Sequence, residues 1–200
     1  YSQAAGHDIN YIALAGSLAH LGRAGEKPTP PINLVGDFGG GGMFLAFGVA
    51  CALFEATRSG EGQVVDAAMV DGSAVLMSMF VTWPGWGERG TNLLDTGAPF
   101  YDTYETQDRK YISIGSLEPQ FYAVLLTQLQ LTDVDPARQM DKTLWPSLKA
   151  RIAQRFASQP STYWNALMEG TDSCFAPVLT MAEAAAPSAT PTEVLDAVAG

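Results

Sequence analysis

Spacing and composition predict a mixed α/β chain in two parts: a largely helical first part and a small α+β domain, separated by a linker. Three features carry that expectation: apolar residues at helical spacing through much of the first sixty positions, a break rich in Gly, Pro, Asn and Asp over residues 83–99, and strand patterns followed by helical ones beyond it. At 200 residues, 47% hydrophobic and 16% charged, the chain can bury one substantial core or two small ones, and it lacks the polarity of long disordered segments.

Residues 8–21 (DINYIALAGSLAHL) set Ile9, Ile12, Ala13, Ala15 and Leu18 near helical spacing, with Asp8 as N-cap or first-turn acid. Residues 22–31 form a Gly/Pro loop, residues 32–35 are short and apolar, and Gly36-Asp37-Phe38 leads into four glycines, Gly39 to Gly42. A long apolar helix is predicted from Met43 to about Arg58, stopped at Gly60. Its most apolar run, residues 42–54, is too short to span a membrane and reads as a buried core helix. A short strand over 63–68 and a helix over 72–80, capped by Asp71, come next. Beyond the break, 100–105 and 110–114 read as paired strands about a turn at 106–109, followed by helices over 118–131, 144–158 and 161–169. A last strand over 174–179 and a helix over 181–186 complete the pattern, and a tail from Pro187 is expected to be poorly ordered. Asp66, Asp71, Asp95 and Asp102 read as turn or cap residues.

The net charge of −10 repels phosphate backbones and argues against nucleic-acid partners. It would equally oppose an anionic ligand, and with 11 Lys and Arg in the whole chain a basic pocket needs help from elsewhere. Cys51 lies in an apolar run and reads as a small buried hydrophobe; with Cys174 far away, neither a disulfide framework nor a zinc site is indicated. A reducing cytosol fits, as do other compartments. The opening YSQAAGHDINYIA has the character of mid-domain sequence, so the chain reads as a piece of a longer protein.

Six motifs occur in order: GHDINY (6–11), NLVGDFGGGGM (33–43), GEGQVVDAAMVDG (60–72), LDTGAPFYDTYET (94–106), YISIGSLEPQFY (111–122) and TDSCFAPVLTMAEA (171–184). Together they closely resemble the α-methylacyl-CoA racemases of the family III CoA transferase superfamily. The resemblance implies that residues 1–68 are the later part of a Rossmann-like, CoA-binding large domain. Residues 69–98 would then be a helix and linker, 99–186 the small α+β domain, and 187–200 a tail or returning linker. It further implies an interlocked homodimer, an acyl-CoA substrate, no cofactor apart from the CoA of that substrate, no metal, and neither membrane nor nucleic-acid partners. His7, Asp37 and Glu118 are the implied catalytic residues, with Gly6, His7, Asp8, Ile9, Asn10 and Tyr11 against the CoA arm. The family's N-terminal part is missing before Tyr1 and SATPTEVLDAVAG departs from its pattern, so these 200 residues alone are expected to bind CoA weakly or not at all. A compartment follows the source: cytoplasm in a bacterium, mitochondrion or peroxisome in a eukaryote.

Chemistry sets the requirement. A proton beside a thioester is weakly acidic, so its removal needs a base and a donor for the enolate oxygen. Racemisation needs two acid/base groups on opposite faces. His7 can titrate near neutrality, and a partly desolvated Asp37 carboxylate can be raised toward it. Each also has a plain structural reading, His7 closing a loop onto a helix and Asp37 making an Asx turn. Glu118 before Pro119 suits an N-cap, and the resemblance places it beside the histidine. The Asp8 N–H at the helix start is the expected donor to the thioester oxygen. Met43, Met69, Met77 and Met79 fit either an adaptable acyl surface or ordinary core, and His20 fits a surface or helix-end position. Two alternatives stand beside racemisation: a CoA transferase with Asp37 as nucleophile, and an inactive dimerisation fragment.

Overall fold

A computed structural model describes residues 3–186. The chain divides into two compact units, Tyr1–Gly97 and Ala98–Gly200.

The described part of the first unit is helical. Helix α1 (Asp8–Leu14) is shorter than the periodicity predicts, because Gly16 turns left-handed at φ 82°; the remaining apolar residues form a 3-10 turn, Leu18–His20. The glycine-flanked segment, whose Asp37 reads from the sequence as an Asx turn, is a π-helix, Leu34–Met43. Its wider turn shows in the Phe38 N–H, which donates to the carbonyl of Asn33 five residues back at 3.2 Å. Glycines make this winding and its packing possible: a Cβ on Gly39 would stand 2.9 Å from the Leu34 oxygen, and one on Gly40 would stand 2.7 Å from the Ser73 nitrogen. A Cβ on Gly72 of helix α3 (Met69–Thr82) would fall on the Gly40 carbonyl, so the π-helix and α3 cross backbone to backbone.

Helix α2 (Phe44–Ser59) continues the π-helix and ends, as the sequence predicts, at Gly60, which is left-handed at φ 79° and donates to the Ala56 carbonyl. The expectation of a buried core helix is not met: α2 has no buried residue, Phe47 is 71% exposed, and Cys51 is exposed as well. A helix apolar on all sides wants cover all round, but periodicity cannot say which segment supplies it, and residues 3–186 do not. Joined to the π-helix, the run Leu34–Ser59 is 26 residues and reaches membrane-crossing length and apolarity, which residues 42–54 alone do not. The strand predicted over 63–68 does not form either. A strand needs a ladder partner, and the first unit has none among the described residues. Helix α3 instead starts at Met69 with Ala68 as N-cap, leaving Asp71 in its first turn.

In the second unit an antiparallel sheet in the order β1 (Tyr101–Glu105), β2 (Tyr111–Gly115), β3 (Phe175–Pro177) follows the predicted strands. Pairing sets Tyr104 opposite Ile112 and Asp102 opposite Ile114, so one face of the pleat points inward. Helices α4 (Pro119–Gln128), α5 (Trp145–Phe156) and α6 (Ser161–Met168) are those the sequence predicts, and α7 (Met181–Ala184) begins where expected. The core is aromatic: Phe100 meets Trp145 edge-on at 5.9 Å, and Phe156 meets Tyr104 at 5.4 Å and Trp164 at 5.0 Å. Buried indoles are satisfied, Trp145 Nε1 donating to the Gln139 carbonyl and Trp164 Nε1 to that of Phe156. Asp102 is not the turn residue expected. The strand alternation that buries Tyr104 buries it too, and its carboxylate pairs with Lys149 Nζ at 2.9 Å.

Asp108, in the β1–β2 turn, joins sheet to helix by accepting from the Thr106 hydroxyl and from both the N–H and the hydroxyl of Ser161 at the start of α6. These bonds, that of Thr106 foremost, hold its carboxyl well below the ordinary 3.8. A folded-state pKa below the unfolded one contributes stability above the unfolded value that is lost as pH falls through the folded value. Asp108→Asn should therefore melt lower than wild type at neutral pH and lose less stability on acidification below about pH 4; parallel melting profiles for the two proteins would contradict this.

Candidate functional site

The site is built where two turns of the first unit meet. His7 is the N-cap of α1 with an extended backbone (φ −130°, ψ 179°). Its N–H donates to Asn10 Oδ1 at 3.1 Å, and its carbonyl accepts from the N–H groups of Asn10 and Tyr11. The main chain of His7 is thus fixed from both sides while its imidazole is exposed. The Tyr11 ring folds back over Gly6, close enough that a Cβ there would stand 3.1 Å from the phenol. The N–H groups of Asp8 and Ile9 open α1 and have no intrahelical acceptor.

Asp8 turns inward. Only 3% exposed, it accepts the Asp37 N–H on Oδ2 at 2.7 Å, while Oδ1 has no partner among the described residues. Leaving a buried oxygen unpaired costs about 1–3 kcal/mol. Asp37 lies in the first turn of the π-helix with its carboxylate exposed, and its Oδ2 accepts from Asn33 Nδ2 at 2.5 Å. Gly36 makes the approach possible, since a Cβ there would collide with Asp8 Oδ2 and lie 2.8 Å from its Cγ. The structure therefore brings the GHDINY and GDFGGGG segments together, with the residue after His7 holding the main chain of Asp37.

Glu118 belongs to the second unit, where it precedes α4 as an N-cap without a side-chain capping bond; Pro119 takes the first helical position. Its charge acts on Cys174. Partial desolvation, then the negative charges of Glu118 and Asp172, raise that thiol above its ordinary value, which disfavours a thiolate nucleophile. Among the described residues no three His, Cys, Asp or Glu side chains cluster as metal ligands.

Sequence reasoning missed an apolar cavity of about 500 Å³ in the first unit, whose lining includes His20, Leu21, Met77, Phe80, Trp86 and Leu94 but neither His7 nor Asp37. His20 is half-buried there, its Nδ1 accepting from the Trp86 indole at 3.4 Å, and Met77 faces the cavity. The signal was present as two tryptophans, Trp83 and Trp86, in an otherwise Gly/Pro-rich stretch. That stretch is ordered by Asp95, which accepts from the Gly90 and Asn92 N–H groups, and by Arg89, whose guanidinium binds the carbonyls of Ala19, Arg23 and Glu26.

The Glu118–Cys174 coupling can be checked by mapping alkylation at about pH 8, with exposed Cys51 as internal reference. Glu118→Gln should lower the Cys174 pKa and speed its modification severalfold, whereas an unchanged rate would show that the two groups do not interact.

Comparison with known proteins matches residues 1–197 to CoA-transferase family III. The chain is 50% identical over 188 residues to alpha-methylacyl-CoA racemase of Mus musculus and 46% identical over 189 residues to that of Homo sapiens, covering 92% of the chain in each case. It spans about half the length of these relatives, 49% of each. A crystal structure of a hypothetical protein from Mycobacterium tuberculosis superposes with TM-score 0.71 at 24% identity, covering 96% of this chain and 52% of the other.

Proposed function

The chain belongs to CoA-transferase family III, and on that premise we propose that it carries the proton-transfer half of an acyl-CoA α-racemase, with His7 and Asp37 as the two acid/base groups. One observation supports this reading above others: the Asp8 carboxylate hydrogen-bonds the Asp37 N–H, so the imidazole-bearing and carboxylate-bearing turns are neighbours. The kinship with two proteins named alpha-methylacyl-CoA racemase supports the substrate class.

In this reading one group removes the α-proton of a 2-methylacyl-CoA and the other returns a proton to the opposite face of the enolate. Imidazole suits the task because both its states are accessible near neutral pH. The Asp37 carboxylate, held on Oδ2 by Asn33, offers its other oxygen to the carbon acid. The open N–H groups at the start of α1 are the proposed donors to the enolate oxygen. With 11 Lys and Arg, the chain leaves the CoA phosphates to basic residues in the rest of the protein.

A transferase reading uses Asp37 as a nucleophile, which its exposed carboxylate also permits. A histidine fixed on the adjoining turn favours proton transfer, since a carboxylate nucleophile makes no demand for a second base.

The test uses the full-length protein with separate (R)- and (S)-2-methylacyl-CoA in D2O. Deuterium should enter the α-carbon of both enantiomers without an acceptor acid, and His7→Ala or Asp37→Ala should each cut racemisation by about 10²–10⁴-fold. CoA movement that requires an acceptor acid, with no α-deuterium, would overturn the reading.

A further inference from the structure

The Asp8 side chain takes no part in the chemistry proposed above, yet among the described residues of the first unit it is the one charged side chain that is buried. It is almost wholly buried, it spends one carboxylate oxygen on the main chain of Asp37, and the other has no partner among the described residues. A capping role does not account for this, because the bond leaves α1 altogether and crosses to a residue 29 positions away. The partner surface is shaped for it: Gly36 lacks the Cβ that would collide with Oδ2, and Ile12 packs against the same open position, its Cγ2 3.1 Å from where that Cβ would be.

We infer that Asp8 is a positioning residue which fixes the spacing of the two acid/base groups, its own main chain carrying His7 and its carboxylate holding the turn that carries Asp37. The inference rests on the proton-transfer reading. Proton transfer at carbon tolerates little misplacement, and loss of this contact would let the two groups drift independently. A carboxylate makes a stronger acceptor for the Asp37 N–H than a neutral oxygen, and its burial protects that bond from competing water.

The experiment uses the full-length protein and two readouts: kcat and KM for racemisation, and hydrogen-exchange protection of the Asp37 amide. Asp8→Ala should lose the amide protection and lower kcat by about 10²-fold for both enantiomers with KM little changed. Asp8→Asn keeps an acceptor oxygen in place and should recover most of both. Gly36→Ala attacks the same contact from the other side without altering charge, and should reproduce the Asp8→Ala pattern, which separates a broken contact from a misfolded protein. Wild-type kcat in Asp8→Ala, in a protein that His7→Ala and Asp37→Ala inactivate, overturns the positioning role alone. Full activity in His7→Ala and Asp37→Ala sinks the base assignment itself, and the spacing role with it. A fall in KM-dependent binding with unchanged kcat would also contradict the inference, since it would make Asp8 a binding residue.

Discussion

One hydrogen bond, from the Asp37 N–H to the buried Asp8 carboxylate, organises the first unit. It ties the start of α1 to the start of the π-helix, and everything around it serves that contact. Gly36 has no side chain because the carboxylate occupies the space where one would be. The His7 main chain is locked by Asn10 and Tyr11 immediately before it, and Asn33 steadies the Asp37 side chain just beyond it. Both ends of the bond thus lead, within one residue or none, to a titratable group that is itself exposed.

The π-helix is the second constraint. Its i→i+5 winding is a rare conformation that concentrates at functional sites, and here it places Asp37 in the first turn while its glycines let the backbone of α3 come into contact. The core of the first unit is accordingly made of small residues, Gly36, Gly40, Gly41, Gly72, Ser17 and Ser73, with Ile12 fully buried among them. Such a core gains close backbone contact rather than large apolar area. The second unit does the opposite, with Phe100, Tyr122, Phe156 and Trp164 filling one face of a small sheet. Burial pushes the Tyr122 phenol up to about 12, as expected of a hydroxyl enclosed by that core.

Legibility differs between the units for physical reasons. Strands and helices of the second unit were readable because their alternation and periodicity answer to a core lying within the same hundred residues: Ile112 and Ile114, or Leu148, Ile152 and Phe156, announce the faces they bury. In the first unit the Gly60 stop was readable from local chemistry, since only the backbone conformation at that residue matters. The burial of α2 and the strand over 63–68 were not, because both depend on what covers or pairs with them, and the chain spans about half the length of its relatives. Asp102 was misread because acid residues usually signal turns, although its alternation with Tyr104 along β1 and its register with Ile114 set it on the inward face. His7, Asp37 and Glu118 were singled out by motif; the role of the Asp8 side chain was not, since no pattern of spacing announces a carboxylate that bonds to a main chain 29 residues away.

A structure of the full-length protein with 2-methylacyl-CoA bound is the most direct measurement of whether two groups address one carbon. It should place a His7 nitrogen and an Asp37 carboxylate oxygen each about 3–3.5 Å from the α-carbon, on opposite sides of the plane the enolate would occupy. Finding either side chain turned away from that carbon, or both on the same face, would contradict the account.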